Sequence, residues 1–452
     1  MSSSARSSAA VAHAADRAAP APRSGDGPAW GRALAWIALV AVLAWAVKLV
    51  IEGSLDLMVY DMGAQWVAHP ETRAQPLYDL EFPVPWGGDT LPFTYPPFAA
   101  LLFGLLAWIP FDVTRFLLLG LDVLGAFVLG RSLLAVAERR GRPLPWTRAL
   151  GSSASIALIT AVILFCGPWI RTISLGQVNI LLFALIFLDL VRRTDGTGSR
   201  LENAVAFIPR GVLIGIAAGI KLTPLAFGLI FLMGKNLKAI LAMGLTFAAT
   251  VGLGFLVLYR DSIQFWTDSV SSSDRVGSIK YIDNTALTGV LIKTGVPAEA
   301  VDPIRYVLVL IMLIAVAVAL PPLLRRGMTL SAISLNALVM LFMSPISWSH
   351  HQVYYPVIAV ALFTEAFPHV LRGRFRMPAQ VMAWIWLVGA YIGPMRGLWI
   401  VDLFGVHLHA AETIWVIPYL ILFVLLLTWS AAVVVTARRG RLAGPAAQVP
   451  AA

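Results

Sequence analysis

One carboxylate stands where the chain leaves its first long apolar run. Asp56 follows the run 33–51 within the sequence Leu-Asp-Leu-Met-Val-Tyr. A carboxylate in an apolar frame has a raised pKa, because burial disfavours its charged form, and such a group can act as a general base. The alternative is an ordinary solvated carboxylate at a helix end. We take Asp56 as the candidate base.

A single lysine interrupts another apolar segment. Lys221 lies within Gly-Ile-Lys-Leu-Thr-Pro, with long apolar stretches on both sides. A cation surrounded by apolar residues needs an anionic partner, unless its side chain extends to a polar interface. A ligand phosphate is one such partner, so Lys221 is a candidate phosphate-binding residue.

Three more polar side chains follow one another closely, at the end of a pair of apolar runs. Arg171 ends Gly-Pro-Trp-Ile-Arg, and Gln177 and Asn179 belong to Gly-Gln-Val-Asn. Charged and amide groups are costly between apolar helices, so where they occur they usually line a cavity. We therefore include Arg171, Gln177 and Asn179 among the candidate binding residues.

A histidine pair, His350 and His351, ends the sequence Ser-Pro-Ile-Ser-Trp-Ser-His-His. Histidine can bind a metal, transfer a proton or donate to a phosphate. Adjacent residues on a helix face different ways, so the pair is a poor joint metal ligand. Two further histidines, His407 and His409, could add ligands for a divalent ion, but we predict no cofactor.

Several sequence motifs are absent. The sequence lacks a P-loop, CxxC, HExxH and Asp-x-Asp, which argues against ATP-driven transport and a nucleotide-sugar donor.

The composition shows what must position these residues. Hydrophobic residues make up 59% of the 452 and charged residues 13%, against about 25% charged in an average soluble domain. A membrane helix needs about 20 apolar residues, and the clearest such runs are 33–51, 113–137, 237–258, 304–324, 378–394 and 413–437. We predict an all-α, polytopic integral membrane protein that crosses the bilayer roughly ten times.

The positive charges set the predicted orientation. The net charge of +10 could suggest nucleic acid, but Lys and Arg cluster between the apolar runs, as the positive-inside rule requires. We therefore predict a plasma-membrane protein with no nucleic-acid partner and with both termini cytoplasmic. Residues 1–32 and 438–452 are predicted as cytoplasmic tails, the first of them disordered, and 33–437 as the membrane domain.

Two apolar segments do not fit a simple crossing. Run 98–109 is too short to span, and segment 211–233 has basic residues at both ends and is broken at Lys221 and Pro224. We predict a re-entrant or surface helix for the first, and two half-length helices that enter and return for the second. The polar, turn-rich segments, including 167–179, then all fall on the outer side of the membrane.

Five short motifs occur in order along the chain: Asp56-Leu57-x-Val59-Tyr60, Phe93-Thr94-Tyr95-Pro96-Pro97, Gly176-Gln177-x-Asn179, Lys221-x-x-Pro224 and Ser344-Pro345-x-Ser347-Trp348-x-His350-His351. Together they resemble glycosyltransferase family 87, the polyprenol-phosphate-dependent glycosyltransferases of mycobacterial-type envelopes. The resemblance implies the GT-C fold, with about 10–12 membrane helices and an extracytoplasmic active site. One departure is Asp283-Asn284-Thr285, where the family leads us to expect Asn-Gln-Ser.

The resemblance also implies substrates and roles. The Tyr-Pro-Pro motif is most similar to α-1,2-mannosyltransferases of the phosphatidylinositol-mannoside or lipoarabinomannan type, which implies a polyprenyl-phosphate-mannose donor and a glycolipid acceptor held among membrane lipids. Asp56 would be the base, and direct attack on a β-linked donor would give an α-linked product. The remaining candidates would bind substrate or stabilise the phosphate: Lys221, His350, His351, Arg171, Gln177, Asn179, Tyr60, Tyr95 and Trp348.

Two alternatives stay open. One is an arabinofuranosyltransferase that uses decaprenyl-phospho-arabinose. The other is a lipid or sugar transporter, because broken helices and buried charges occur in that class too. We find no internal repeat, and the polar segments gather on one side rather than at the bilayer midplane, so transfer is the favoured prediction.

Overall fold

The computed structural model describes residues 28–72, 75–84, 90–139, 141, 143–144, 146–192, 200–394, 396 and 408–442. These residues are almost entirely helical, and their strands form one hairpin in which β1 (Glu81–Pro83) pairs antiparallel with β2 (Thr90–Pro92). Short 3-10 turns connect several helices, and a π-helical turn occupies Leu362–Ala366.

The α-helices of the described residues are, in chain order, α1 (Ala29–Glu52), α2 (Leu55–Ala68), α3 (Pro97–Gly104), α4 (Phe111–Arg139), α5 (Thr147–Phe165), α6 (Gly167–Leu175), α7 (Asn179–Val191), α8 (Arg200–Ala204), α9 (Val212–Ile220), α10 (Gly228–Met233), α11 (Leu237–Val257), α12 (Tyr259–Thr267), α13 (Leu287–Lys293), α14 (Ala298–Arg325), α15 (Thr329–Met343), α16 (Tyr355–Ala361), α17 (Phe367–His369), α18 (Arg376–Ile392) and α19 (Leu408–Arg438). The 3-10 turns are Pro70–Thr72, Leu77–Asp79, Thr223–Phe227, Ser269–Ser271, Ser273–Val276, Ser349–His351 and Gly373–Phe375.

Six of these helices are long and apolar enough to cross a membrane: α1, α4, α5, α11, α14 and α19. Large apolar side chains such as Leu256 on α11 and Leu310 on α14 are exposed, as they must be on a surface that faces lipid. The chain is therefore a multi-pass membrane protein, as predicted. Shorter apolar helices, including α7 and α15, enter the same bundle, and the total of ten to twelve membrane helices stays a prediction.

The predicted terminal tails fall mostly outside the described residues, which begin at residue 28 and end at 442. At the amino-terminal side the domain boundary after residue 32 stays a prediction. The first helix, α1, begins at Ala29, because the apolar pattern starts at Ala29 and Trp30, directly after Pro28.

Run 98–109 does not span, in agreement with the prediction. Its helix, α3, has eight residues, which is about 12 Å of helix and less than half of the hydrocarbon thickness. Pro96 and Pro97 set its start, since a proline is accepted at the first position of a helix but not in its interior.

Segment 211–233 is broken at Lys221 and turns back. Gly211, before the start of α9, packs against Ala239 at the start of α11, whereas Gly219 at the other end of α9 packs against Thr250, further along α11. Helices α9 and α11 therefore run parallel, and the intervening residues must return to the end where α9 began. This agrees with the prediction of two half-length helices that enter and return.

Segment 167–179, predicted as polar and turn-rich, instead contains the nine-residue helix α6. Pro168 lies in its first turn, and Gly176 follows it with a φ of 67°, which are the positions that these residues prefer at helix ends. The same residues that suggest turns thus delimit a short helix. Trp169 on α6 is fully buried, and its Nε1 donates to the carbonyl of Val353 at 2.9 Å, which joins α6 to the chain after the histidine pair.

Candidate active site

Eight of the ten candidate residues line one cavity of about 340 Å³: Asp56, Tyr60, Tyr95, Gln177, Lys221, Trp348, His350 and His351. They come from five segments that are distant in the sequence. We refer to this space as the active-site cavity. A carboxylate, a lysine, two imidazoles and several hydroxyl and aromatic groups share its walls, which suits a polar ligand that carries an anionic group.

A tight turn between α1 and α2 positions Asp56. A Cβ on Gly53 would overlap the carbonyl oxygen of Ser174, and one on Gly176 would overlap Leu57. Ser54 is fully buried with a φ of 75°, and its backbone N–H donates to that same Ser174 carbonyl at 2.8 Å. The glycines therefore allow the first turn of α2 to lie directly against the end of α6, which brings Asp56 beside Gln177.

The electrostatic environment of Asp56 favours a base. Burial raises the pKa of Asp56 to about 6, against smaller opposing effects from a hydrogen bond with Gln177 and from the charges of Lys221 and Arg171. One carboxylate oxygen, Oδ2, is buried without a hydrogen-bond partner. A carboxylate with a pKa near 6 is mostly ionised at neutral pH and is basic enough to accept a proton from a sugar hydroxyl as it attacks.

Two tyrosines hold the amide that contacts Asp56. The hydroxyls of Tyr60 and Tyr95 lie 2.7 and 3.0 Å from Oε1 of Gln177 and 2.7 Å from each other. Because Oε1 accepts from the tyrosines, the amide nitrogen is the group left to donate to Asp56. Burial raises the pKa of both tyrosines, so they stay protonated and act as hydrogen-bond donors.

Lys221 lies at the break between α9 and the following 3-10 turn. Its Nζ is 3.2 Å from Oδ1 of Asn179 and 3.0 Å from Nε2 of His351. Burial lowers the pKa of Lys221 to about 8, and the nearby Asp56 charge opposes this effect. Yet no ion pair of the described residues joins Asp56 to Lys221. The base and the cation therefore share one cavity while remaining separate.

The two histidines have different surroundings. Nδ1 of His351 accepts from the backbone N–H of Trp348 at 3.2 Å, which leaves the ring proton of a neutral imidazole on Nε2. Both ring nitrogens of His350 are buried without a hydrogen-bond partner among the described residues. Burial and the charge of Lys221 lower the pKa of both histidines, so both are neutral near pH 7.

Residues 283–287, here called the Asn284 loop, hold the segment that carries the histidines. Oδ1 of Asn284 accepts from the backbone N–H of Ser347 at 3.1 Å, and Thr285 donates to the Ser347 carbonyl through both its N–H and its Oγ1. Gln352 also donates to Oγ1 of Thr285. The loop that departs from the family's expected sequence is thus a support for His350 and His351, a role that the sequence did not suggest.

Two candidate residues do not line the active-site cavity. Asn179 lines a small adjoining space of about 30 Å³ with Lys221 and His351, and its Nδ2 donates to the carbonyl of His350 at 3.0 Å. It therefore connects the lysine to the histidine segment. Arg171 lines a separate cavity on the other side of Ser349, although its charge still acts on Asp56 and His350.

The cavity also has lining residues that sequence reasoning missed. Phe265, Ser269, Ser271, Ser272 and Arg275 form part of its wall. Nη2 of Arg275 donates to the carbonyl of Tyr78 at 2.6 Å, while its Nε is buried without a partner. None of these five residues was among the candidates predicted from the sequence. The serine-rich composition was the available signal, but it did not show which cavity these hydroxyls face.

No group of three or more His, Cys, Asp or Glu side chains that could hold a metal ion occurs in the described part of the chain. His407 lies outside the described residues. The residues that line the active-site cavity include a carboxylate, a lysine and neutral hydrogen-bond donors.

Comparisons with known proteins show the family to which the chain belongs. Residues 93–345 match glycosyltransferase family 87. Two curated relatives are named polyprenol-phosphate-mannose-dependent alpha-(1-2)-phosphatidylinositol mannoside mannosyltransferase. The one from Mycobacterium tuberculosis is 30% identical over 66% of this chain and 68% of its own length, and the one from Mycolicibacterium smegmatis is 31% identical over 68% and 69%.

A third relative, from Mycolicibacterium smegmatis, is named for phosphatidylinositol pentamannoside and is 30% identical over 79% of this chain and 80% of its own length. No solved structure matched the chain. The fold of the chain and its family match define a membrane-embedded glycosyltransferase. The chain belongs to glycosyltransferase family 87, which confirms the prediction made from the five motifs.

Proposed function

We propose that this protein transfers mannose from a polyprenyl-phosphate-mannose donor to a lipid-anchored mannoside, forming an α-1,2 linkage with inversion. The observation that carries the proposal is the separation of a partly buried carboxylate, Asp56, from a Lys221–His351 pair across one cavity. The names of the family-87 relatives support mannose over arabinose as the sugar and a phosphatidylinositol mannoside as the acceptor class.

The donor phosphate fits beside Lys221. With the ring proton of His351 on Nε2, both that nitrogen and Nζ of Lys221 are proton donors, and they face each other at 3.0 Å. An anionic oxygen placed beside the pair, within hydrogen-bond distance of each nitrogen, would accept from both. The unpartnered imidazole of His350 adds a third donor. Donors fixed before reaction stabilise the charge that develops on the leaving phosphate.

The acceptor hydroxyl fits beside Asp56. As the hydroxyl oxygen forms a bond to C1 of the mannose, the C1–O bond to the phosphate breaks and Asp56 accepts the hydroxyl proton. Attack from the face opposite the phosphate converts a β-linked donor into an α-linked product. The Trp348 ring and the hydroxyls of Ser271 and Ser272 on the cavity wall provide a stacking surface and hydrogen bonds for sugar rings.

We further propose that the site opens on the extracytoplasmic face and that both termini are cytoplasmic. The support is the charge distribution. Basic residues follow α4, α14 and α19, whereas the charged residues of the segment that carries Asp56 and the hairpin are mostly acidic. This asymmetry is the one that the positive-inside rule describes. A lipid-linked sugar would then reach the cavity from the outer leaflet.

The direct test is reconstitution of the purified protein in vesicles with polyprenyl-phosphate-mannose and a phosphatidylinositol mannoside. We expect a glycolipid that is one hexose larger, with an α-1,2 linkage shown by mass spectrometry and linkage analysis. Transfer from decaprenyl-phospho-arabinose alone would contradict the sugar assignment. Movement of the donor across the bilayer with no new glycosidic bond would indicate the transporter instead.

The pH dependence of kcat/KM is expected to be bell-shaped. Asp56 must be ionised to accept a proton, so activity should rise with pH through about 6. Lys221 must be charged to bind phosphate, so activity should fall as pH rises through about 8. Initial rates across this range, with subsaturating donor, check both limbs.

A Lys221→Arg variant tests whether Lys221 is the group whose titration lowers kcat/KM at high pH. Arginine keeps its charge well above pH 10, so the fall near pH 8 should move to higher pH even if the rate at neutral pH is lower. An alkaline limb that is unchanged in this variant would show that another group titrates there.

A further inference from the structure

A second cavity, of about 160 Å³, lies between α1, α6 and the end of α18. Trp45 and Leu49 of α1 form one wall, and Ile170 and Arg171 of α6 form another. Ser349, next to His350 of the active-site cavity, lines its inner side. The histidine segment thus separates two cavities, and each holds cationic side chains.

The second cavity contains two guanidinium groups, Arg171 and Arg396. No ion pair of the described residues ties either one to a carboxylate. Nε of Arg171 is buried and without a hydrogen-bond partner. A buried guanidinium nitrogen with no hydrogen-bond acceptor is costly in an apolar setting, and a bound anion relieves that cost.

Several contacts hold Arg396 in place at this cavity. Its guanidinium lies over the neighbouring rings of Trp45 and Phe165, at 4.9 and 4.7 Å from their centroids, and donates to the carbonyls of Phe165 and Tyr391 at 3.1 and 3.4 Å. These contacts use part of its donor capacity and fix its direction. A planar, pre-positioned guanidinium is the preferred protein group for phosphate.

The walls show which kind of phosphate fits. Trp45 and Leu49 belong to a membrane-spanning helix that is largely unburied, and Ile170 and Ile392 add further apolar surface. A ligand with a phosphate head group and a long hydrocarbon chain satisfies both the cations and these apolar walls. Free phosphate would leave the apolar surface uncovered.

We propose that this second cavity binds the phosphodiester group of a lipid substrate, with the lipid chain lying along α1. The assignment to a substrate rests on the proposed function. The single phosphate of the donor is already assigned to Lys221 and His351, so the phosphodiester left for this cavity is that of the acceptor, on its phosphatidylinositol anchor. Its chemistry is a monoanionic phosphate ester next to an apolar chain.

Binding without turnover tests the site. The probes are radiolabelled polyprenyl phosphate and, separately, a phosphatidylinositol mannoside, each added to full-length protein in phosphatidylcholine nanodiscs. We expect Arg396→Gln to weaken binding of the phosphatidylinositol mannoside by roughly tenfold, the usual effect of losing a charged hydrogen bond, and to leave binding of polyprenyl phosphate within about twofold. Weaker binding of polyprenyl phosphate alone would overturn the proposal. Arg396 is preferred over Arg171, whose charge also acts on Asp56.

A second variant distinguishes loss of the binding site from misfolding. Leu49→Trp keeps both arginines and fills the cavity, so it should weaken the same lipid as Arg396→Gln. Arg326→Gln, which removes an exposed arginine at the end of α14, is the matched control and should bind both lipids normally. Unchanged binding of both lipids by folded Arg396→Gln and Leu49→Trp would overturn the proposal, as would competition by equimolar inorganic phosphate. Because no transfer is measured, this outcome is independent of the sugar assignment.

Discussion

Replacing Asp56 by Asn is expected to lower kcat by roughly 10³-fold, within the range attributed to general-base catalysis, while the protein remains folded. The amide has almost the same shape as the carboxylate but cannot accept a proton. Burial already disfavours the charged form of Asp56, so removing the charge does not remove a stabilising ion pair. The measurement is the single-turnover rate of mannose transfer in vesicles at pH 7.5, together with the unfolding temperature.

Asp61→Asn is the matched control for this experiment. Asp61 lies on the same helix, α2, and does not line the active-site cavity. The same substitution there should leave the rate within about twofold, as surface changes usually do. A wild-type rate for Asp56→Asn would disprove the assignment of the base. A donor KM close to the wild-type value is also expected, because Asp56 contacts the acceptor side of the reaction.

Replacing Lys221 by Ala is expected to act mainly on donor binding. A hydrogen bond to a charged group contributes about 1.5–3 kcal/mol, so the donor KM should rise by roughly 10- to 150-fold. The reason is that, in the proposed site, Nζ of Lys221 and Nε2 of His351, 3.0 Å apart, both donate hydrogen bonds to the phosphate. The measurement is KM for polyprenyl-phosphate-mannose at saturating acceptor, with direct binding of polyprenyl phosphate as a second readout.

Lys238→Ala controls for the loss of a positive charge. Lys238 is an exposed lysine at the start of α11, and its removal should change neither KM nor binding. Unchanged donor affinity in Lys221→Ala would rule out the phosphate role. Because Lys221 also contacts Asn179, which donates to the carbonyl of His350, a lower kcat is expected as well, from displacement of the histidine segment.

Together the two variants separate the two sides of the cavity. Loss of the base lowers the rate at saturating substrate, whereas loss of the cation raises the donor KM. If both variants lost activity in the same way, without a difference between kcat and KM, the division into a donor side and an acceptor side would be wrong.

Several features were predictable because their signals are local. The length of each apolar run shows whether it can span a membrane, and that information lies in consecutive residues. The short helix α3 and the break at Lys221 follow from run length and from proline chemistry in the same way. Family membership was likewise visible, since five motifs in one order are a property of the chain rather than of its packing.

Which side chains line the same cavity could not be predicted in this way. Arg171 on α6 and Gln177 just after that helix lie six positions apart, yet they line different cavities. The direction of a side chain depends on how its helix is rotated against its neighbours, which contacts between distant segments decide. The Asn284 loop shows the same limit, because its bonds to Ser347 join residues more than sixty positions apart.

The sequence by itself thus determined the class of the protein, its returning segment and the residue types of its chemistry. Only the tertiary structure decided that Asp56, Lys221 and His351 share one cavity and that Arg171 and Arg396 form another. The physical reason is that hydrophobic run length is encoded along the chain, whereas the meeting of five polar segments depends on close packing between helices, at contacts such as Gly53 against Ser174.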